Sequence, residues 1–133
     1  MQASWRVALS RLETGLVRKF NKSLIFTEIG YCAGGCSRNG SHGGSATNAT
    51  LQRQADHYEA LFLAAAGHES WFRGAFWWNW DSDPAVAAGD GCLNPAWKPA
   101  EAVLRRYYRA TSPPPAPATA WLPSCVGPGR CTT

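Results

Sequence analysis

A lone carboxylate, Glu28, sits near the end of the apolar run Leu24-Ile25-Phe26-Thr27-Glu28-Ile29-Gly30-Tyr31. Ionised and beside so much β-branched and aromatic surface, it is costly to desolvate, so it is expected to be paired, hydrogen-bonded or catalytic. A strand-end Glu that simply faces water is the plainer alternative. The second chemistry-bearing stretch is Trp71-Phe72-Arg73-Gly74-Ala75-Phe76-Trp77-Trp78-Asn79-Trp80, which holds four of the seven tryptophans of the chain. That aromatic density exceeds ordinary core needs and points to a surface that stacks on something flat or ring-shaped.

Both stretches read as β-strands. Leu24 to Tyr31 is apolar on both faces, as in a parallel strand covered by helices, and Gly30 supplies the freedom to turn directly afterwards. In residues 71–80 a period of two puts Phe76, Trp78 and Trp80 on one face and Ala75, Trp77 and Asn79 on the other, with Gly74 permitting close approach. Core packing accounts equally well for Trp77 and less well for the strand-end Trp80.

Three helices position these strands. Trp5, Leu9, Leu12, Leu16 and Phe20 form one stripe over residues 4–20, with Ser4 as N-cap and Gly15 costing about 1 kcal/mol relative to Ala. A second helix runs from Asn48 or Thr50 to Ala66, with Leu51, Ala55, Tyr58, Phe62 and Ala65 on its stripe, His57 and Glu59 towards solvent, and Gly67 ending it. The third begins at Pro99, with Glu101 in its first turn, and reaches Arg109 with Ala100, Val103, Leu104 and Tyr107 inward. From Thr111 onward the Ser-Pro-Pro-Pro-Ala-Pro sequence ends regular structure, so residues 111–133 read as a Pro-rich, disordered tail and residues 1–110 as the folded unit.

The order helix, strand, helix, strand, helix makes a parallel pair with a crossover, an α/β arrangement. Two strands cannot make a stable sheet alone. Each leaves an unpaired edge and an uncovered face, so the remaining strands must come from outside these residues.

Other chemistries fit less well. The Gly/Ser-rich stretch Cys32 to Thr47 is long for a strand-to-helix connection, yet no Lys-Ser/Thr pair follows Gly43 or Gly44 as a phosphate loop requires. Neither Ser41 nor Ser45 has the flanking glycines of a hydrolase elbow. Cys32, Cys36 and His42 could supply three zinc ligands, but a fourth is not evident and a local disulfide or free thiols serve equally, so neither metal nor cofactor is expected. The spacing of Asp81 and Asp83 before Pro84 is turn chemistry. Five cysteines, Cys32, Cys36, Cys92, Cys125 and Cys131, leave at least one without a partner within the chain.

With 133 residues, 45% hydrophobic and 17% charged, the chain has the composition of one modest globular domain. No run approaches the ~20 apolar residues of a membrane span, and the first residues lack the layout of a signal peptide. The net charge of +4 comes from scattered arginines, so neither nucleic acid nor membrane is an expected partner. The sequons Asn39-Gly40-Ser41 and Asn48-Ala49-Thr50, both in polar loop sequence, would suit an extracellular protein.

Four blocks in order, Thr27-Glu28-Ile29-Gly30-Tyr31, Gln54-Ala55 with Tyr58-Glu59-Ala60, Gly74 to Trp80, and Lys98-Pro99-Ala100 with Val103-Leu104, resemble the end of a clan A glycoside hydrolase of the β-mannanase-like family 113. The resemblance covers residues 5–109 and implies a partial TIM (β/α)8 barrel, incomplete as it stands, with Leu24 to Glu28 on the seventh strand and Gly74 to Trp80 on the eighth. It implies a carbohydrate substrate, Glu28 as nucleophile of a retaining double displacement, and Trp78, Trp80, Tyr31 and Asn79 against the sugar. The proton-donating Glu belongs to the fourth strand, follows an Asn and should lie about 5 to 5.5 Å from the nucleophile; no Asn-Glu pair occurs here. The chain is therefore expected to be inactive without the N-terminal half of the barrel. A carbohydrate-binding or assembly fragment without catalysis is the alternative. The loop after Tyr31 departs from the family pattern, as does Trp97, where glycine is commoner.

Overall fold

The computed structural model describes residues 1–34, 36, 46–85 and 91–109. His42, Ser41, Ser45, the Asn39 sequon, residues 86–90 and the tail 111–133 with Cys125 and Cys131 lie outside them. Helix α1 (Gln2–Leu12) passes through a π-helical turn (Glu13–Val17) into a last α-helical turn, α2 (Arg18–Phe20). Strand β1 (Leu24–Ile29), helix α3 (Asn48–Ala65), strand β2 (Phe72–Trp77) and helix α4 (Pro99–Arg109) follow. The two strands pair in parallel as a two-stranded sheet. Among the described residues no helix is long and apolar enough to cross a membrane.

The helices cover one face of this sheet in two clusters. Leu9, Ala64 and the buried Trp71 join α1 to α3, with Leu24, Phe26 and Phe72 of the strands packed beneath. Ala55, Tyr58, Ala100, Val103 and Leu104 join α3 to α4 above Trp77. Aromatic pairs dominate the second cluster: Tyr58 lies 4.7 Å from Trp77, and Phe62 stacks on Tyr107 at 4.3 Å between ring centres. Such geometries each add about 0.5–1.5 kcal/mol beyond the area they bury.

Local chemistry differs from expectation in several places. The first helix starts at Gln2 and Ser4 does not cap it; Met1 holds the N-cap position with no side-chain bond. Beyond Leu12 the inward side is Glu13 and Val17, both half-buried, while Leu16 and Phe20 are exposed. The π turn adds one residue to the helical repeat and so rotates the stripe away from its 3.6-residue phase. In α3 the cap is Thr47, in a reciprocal capping box with Thr50. Asn48, the earlier of the two expected starts, is the first residue of that helix. His57 and Glu59, expected towards solvent, are half-buried: the His57 ring lies 5.3 Å from that of Tyr31, and Glu59 pairs with Arg106 across to α4.

The other face of the sheet is bare. Ile25, Phe76 and Trp78 are 45%, 63% and 56% exposed, a run of large apolar side chains, while Trp80, 50% exposed, stands past the strand beside Leu104 and Tyr108 of α4. Such a patch drives association. The chain by itself is therefore expected to self-associate and to melt without a sharp cooperative transition. Sedimentation velocity with a thermal melt checks this, and a clean monomer with a steep transition would contradict it.

Candidate active site

Glu28 owes its position to an irregularity in β1. The ladder pairs Leu24 with Phe72, Phe26 with Ala75 and Ile29 with Trp77. Two residues of β1 therefore answer three of β2 in the first interval, and three answer two in the second. Gly74, at φ +123°, takes up the extra residue in β2. Thr27 and Glu28 together take up the one in β1. Strict alternation, with Leu24 and Phe26 against the helices, would turn Glu28 towards them as well; instead Thr27 and Glu28 are both exposed. Re-aiming a side chain next to a site is what a bulge does at a strand end.

The two glycines have roles opposite to those expected. A Cβ on Gly74 would meet nothing within 4 Å, so this residue is needed for its backbone conformation and not for close approach. A Cβ on Gly30 would lie 1.9 Å from the Trp78 carbonyl oxygen, so this residue is needed for close approach. The Trp78 amide donates to the Ile29 carbonyl at 2.8 Å, which brings the chain after β2 directly against the end of β1.

Glu28, Trp78, Asn79 and Trp80 are thus gathered at the C-terminal ends of the two strands. Trp78 and Trp80 are exposed, Asn79 is half-buried, and the Trp78–Asn79 peptide bond is cis. Strand β2 itself ends at Trp77, whose ring packs on Tyr58 and Phe62 and whose indole donates to the Tyr108 hydroxyl at 2.8 Å. Trp77 is therefore a core residue. Tyr31 also turns to the helices, its ring edge-on to Tyr58 at 5.1 Å and to His57. Burial pushes its hydroxyl up to about 12, against a smaller downward pull from Trp5, so the phenol is neutral at physiological pH.

Among the described residues the Glu28 side chain has no hydrogen-bond or ion-pair partner, whereas every other Glu has one. Glu13 pairs with Arg18, Glu59 with Arg106 and Glu101 with Arg105, while Glu69 accepts from the Gly67 amide. Those four carboxylates are structural. Asp81 and Asp83 accept from the amides of Asp83 and Ala85, the turn chemistry expected of them.

Residues of α3 and of the loop before α4 hold the strand ends in place. Gln54, fully buried in α3, donates through Nε2 to the Tyr31 carbonyl at 2.7 Å and more distantly to those of Cys92 and Leu93. The Ala33 amide donates to the Cys92 carbonyl at 2.8 Å, tying the loop after β1 to the loop before α4. Buried Asn94 accepts through Oδ1 from Asp81 and Ala96, and its carbonyl accepts from Lys98 Nζ at 2.6 Å. The helical stripe did not single out Gln54, although a polar residue three after Leu51 and four before Tyr58 lies on the buried face.

Trp97 has φ +55°, the left-handed region, and the residue is 52% exposed. Its amide donates to Glu101 Oε2 at 2.6 Å, and this bond is the main reason the Glu101 carboxyl lies below its ordinary range. A β-carbon in that region costs roughly 1–2 kcal/mol, partly offset in a glycine by its freer unfolded chain. Trp97→Gly is expected to keep the bond and raise stability by up to about 1 kcal/mol. Chemical denaturation of the assembled protein measures it, and a loss would show that the indole packs.

Two cavities lie near these residues. The larger, of about 330 Å³, lies between α3, β2 and α4 on the covered side, lined by Phe62, Trp77 and Tyr107 among others, and includes none of the site residues expected from sequence. Trp80 borders a separate hollow of about 280 Å³ with Leu104, Arg105 and Tyr108.

A family model, Glycoside Hydrolase Family 113, matches residues 1–90. Two solved structures are similar over most of this chain. One is a family 113 β-1,4-mannanase complex, with 27% identity and a TM-score of 0.63, covering 80% of this chain and 35% of that one. The other is the β-mannanase AaManA of Alicyclobacillus acidocaldarius in complex with ManMIm, with 29% identity, a TM-score of 0.61, and coverage of 82% and 36%. The chain therefore spans about a third of the length of each. No curated protein matches it.

Proposed function

Because the chain belongs to glycoside hydrolase family 113, we propose that it supplies the last two strands, with their helices, of a retaining (β/α)8-barrel hydrolase of β-linked, mannan-like polysaccharide. Residues 1–110 form that portion and residues 111–133 a tail outside it. The observation that carries this reading is the bulge that turns Glu28 to the open side of the sheet, at the same end as Trp78 and Trp80. In a barrel of this kind the active groups stand at the C-terminal ends of the strands and the inner face is filled by other strands' side chains. The bare face bearing Ile25 and Phe76 suits that interior.

The mechanism follows from one carboxylate and one aromatic floor. Glu28, ionised, attacks the anomeric carbon as the leaving oxygen takes a proton from a second Glu on another strand, giving a covalent glycosyl-enzyme. Water, deprotonated by that second Glu, then releases the sugar with retained configuration. The indoles of Trp78 or Trp80 match the C–H face of a pyranose ring. Asn79, half-buried and between the two indoles in sequence, contributes a further sugar contact. The chain holds one role of the two, so alone it does not turn over.

Complementation tests the reading. The chain alone should release no reducing sugar from β-1,4-mannan, while co-production with the N-terminal two-thirds of a family 113 mannanase should restore hydrolysis. Hydrolysis by the chain alone would overturn it. Mannooligosaccharide binding that depends on Trp78 and Trp80, without turnover in the complemented barrel, would favour the carbohydrate-binding alternative.

A further inference from the structure

The sulfur atoms of Cys32, Cys36 and Cys92 all lie within 4.8 Å of one another. Cys32 and Cys36 are in the segment after β1; Cys92 comes 56 residues after Cys36, in the loop before α4. Cys36 Sγ lies within bonding distance of both other sulfurs. A sulfur makes one disulfide at a time, so no disulfide uses all three. A soft cation can.

We propose that Cys32, Cys36 and Cys92, reduced, form a binding site for a thiophilic d¹⁰ cation of the zinc class, with water in the fourth position. The donor set is all sulfur, which selects zinc over the hard, oxygen-seeking cations. A tetrahedral zinc with bonds near 2.3 Å holds its sulfurs about 3.8 Å apart, so the Cys36 sulfur has to draw back from both neighbours while the three stay within the 4.8 Å cluster. The surroundings of Cys32 supply an independent sign. Its sulfur accepts backbone N–H bonds from Cys36 at 2.9 Å and Gly34 at 3.3 Å, whereas its contact as a donor, to the Gly91 carbonyl, is at 3.9 Å. Two backbone amides aimed at this sulfur fix its place in the cluster.

The backbone is already set for such a clip. The Ala33 amide bonds the Cys92 carbonyl, and Gln54 bonds the carbonyls of Tyr31 and Cys92, so the two cysteine-bearing segments meet without the sulfurs having to draw them together. A cation there would pin the segment after Glu28 to the segment after Trp80, and the site rests on this geometry whether or not the hydrolase reading holds. His42, the third donor expected beside Cys32 and Cys36, lies outside the described residues, and the third sulfur comes from Cys92.

The test uses the full chain, reduced and anaerobic, titrated with Co²⁺. One equivalent should bring sulfur-to-cobalt charge-transfer absorption and tetrahedral d–d bands, both abolished by one equivalent of Zn²⁺. Cys32→Ser, Cys36→Ser and Cys92→Ser should each weaken binding at least tenfold, with circular dichroism reporting whether each variant keeps its helices. The double variant Cys125→Ser/Cys131→Ser should bind as the parent does. Absence of the bands overturns the proposal, as does their loss in the Cys125/Cys131 variant alone. Peptide mapping of untreated protein that finds Cys36 disulfide-linked, together with no cobalt binding after reduction, overturns it too.

Discussion

Glu28→Gln in the completed barrel lowers turnover by on the order of 10⁴-fold or more, about 5.5 kcal/mol in the barrier, while leaving folding and sugar affinity nearly unchanged. The amide has the size and planarity of the carboxylate, and among the described residues no bonded partner is lost with the charge. What it lacks is the charge that stabilises the developing oxocarbenium ion and the electron pair that bonds to the anomeric carbon. Trapping with a slow fluorinated glycoside, followed by peptide mass mapping, identifies the nucleophile directly. Label on any residue other than Glu28, or full activity in the Gln variant, removes the basis for the hydrolase mechanism. Trp78→Ala and Trp80→Ala should behave differently, weakening sugar binding as well as turnover.

Gly30→Ala carries the largest structural penalty. The added methyl would stand 1.9 Å from the Trp78 carbonyl oxygen and 3.1 Å from its carbon, and both are backbone atoms that cannot swing aside. Relief requires β1 and the chain after β2 to part at the point where the Trp78 amide meets the Ile29 carbonyl. The expected cost is about 3 kcal/mol or more, the range of severe overpacking, with loss of activity because Glu28 and the tryptophans separate. Gly15→Ala is the control: nothing lies within 4 Å of its added carbon and it sits in the first helical segment, so stability should rise by roughly 0.5–1 kcal/mol. Thermal melts of the completed barrel compare the two. Equal effects would show that the close approach at Gly30 relaxes.

The sequence by itself determined the elements and their order, because these depend on neighbours along the chain. The apolar run at Leu24, the aromatic run at Phe72 and the Pro99 start each predicted a segment found within a few residues of its expected bounds. Alternation in the second strand correctly put Phe76 on the open face and Trp77 on the covered one, while Trp78 and Trp80, both exposed, lie past the end of the strand and Trp80 borders the same hollow as Trp77. The four motif blocks were enough to name the family. Tertiary structure alone decided what depends on a partner distant in sequence. A π turn or a bulge inserts a residue without changing composition, so the shift of the helical stripe from Leu16 to Val17 and the outward turn of Glu28 had no local sign. Gly30 and Gly74 look alike as letters, yet one makes room for the Trp78 backbone and the other adopts a positive φ, a difference set by register across the sheet. The cysteine cluster and the Gln54 clamp have the same origin: Cys92 and the carbonyls that Gln54 reaches are brought to the strand ends only by the packing of α3 against β1 and the loop before α4.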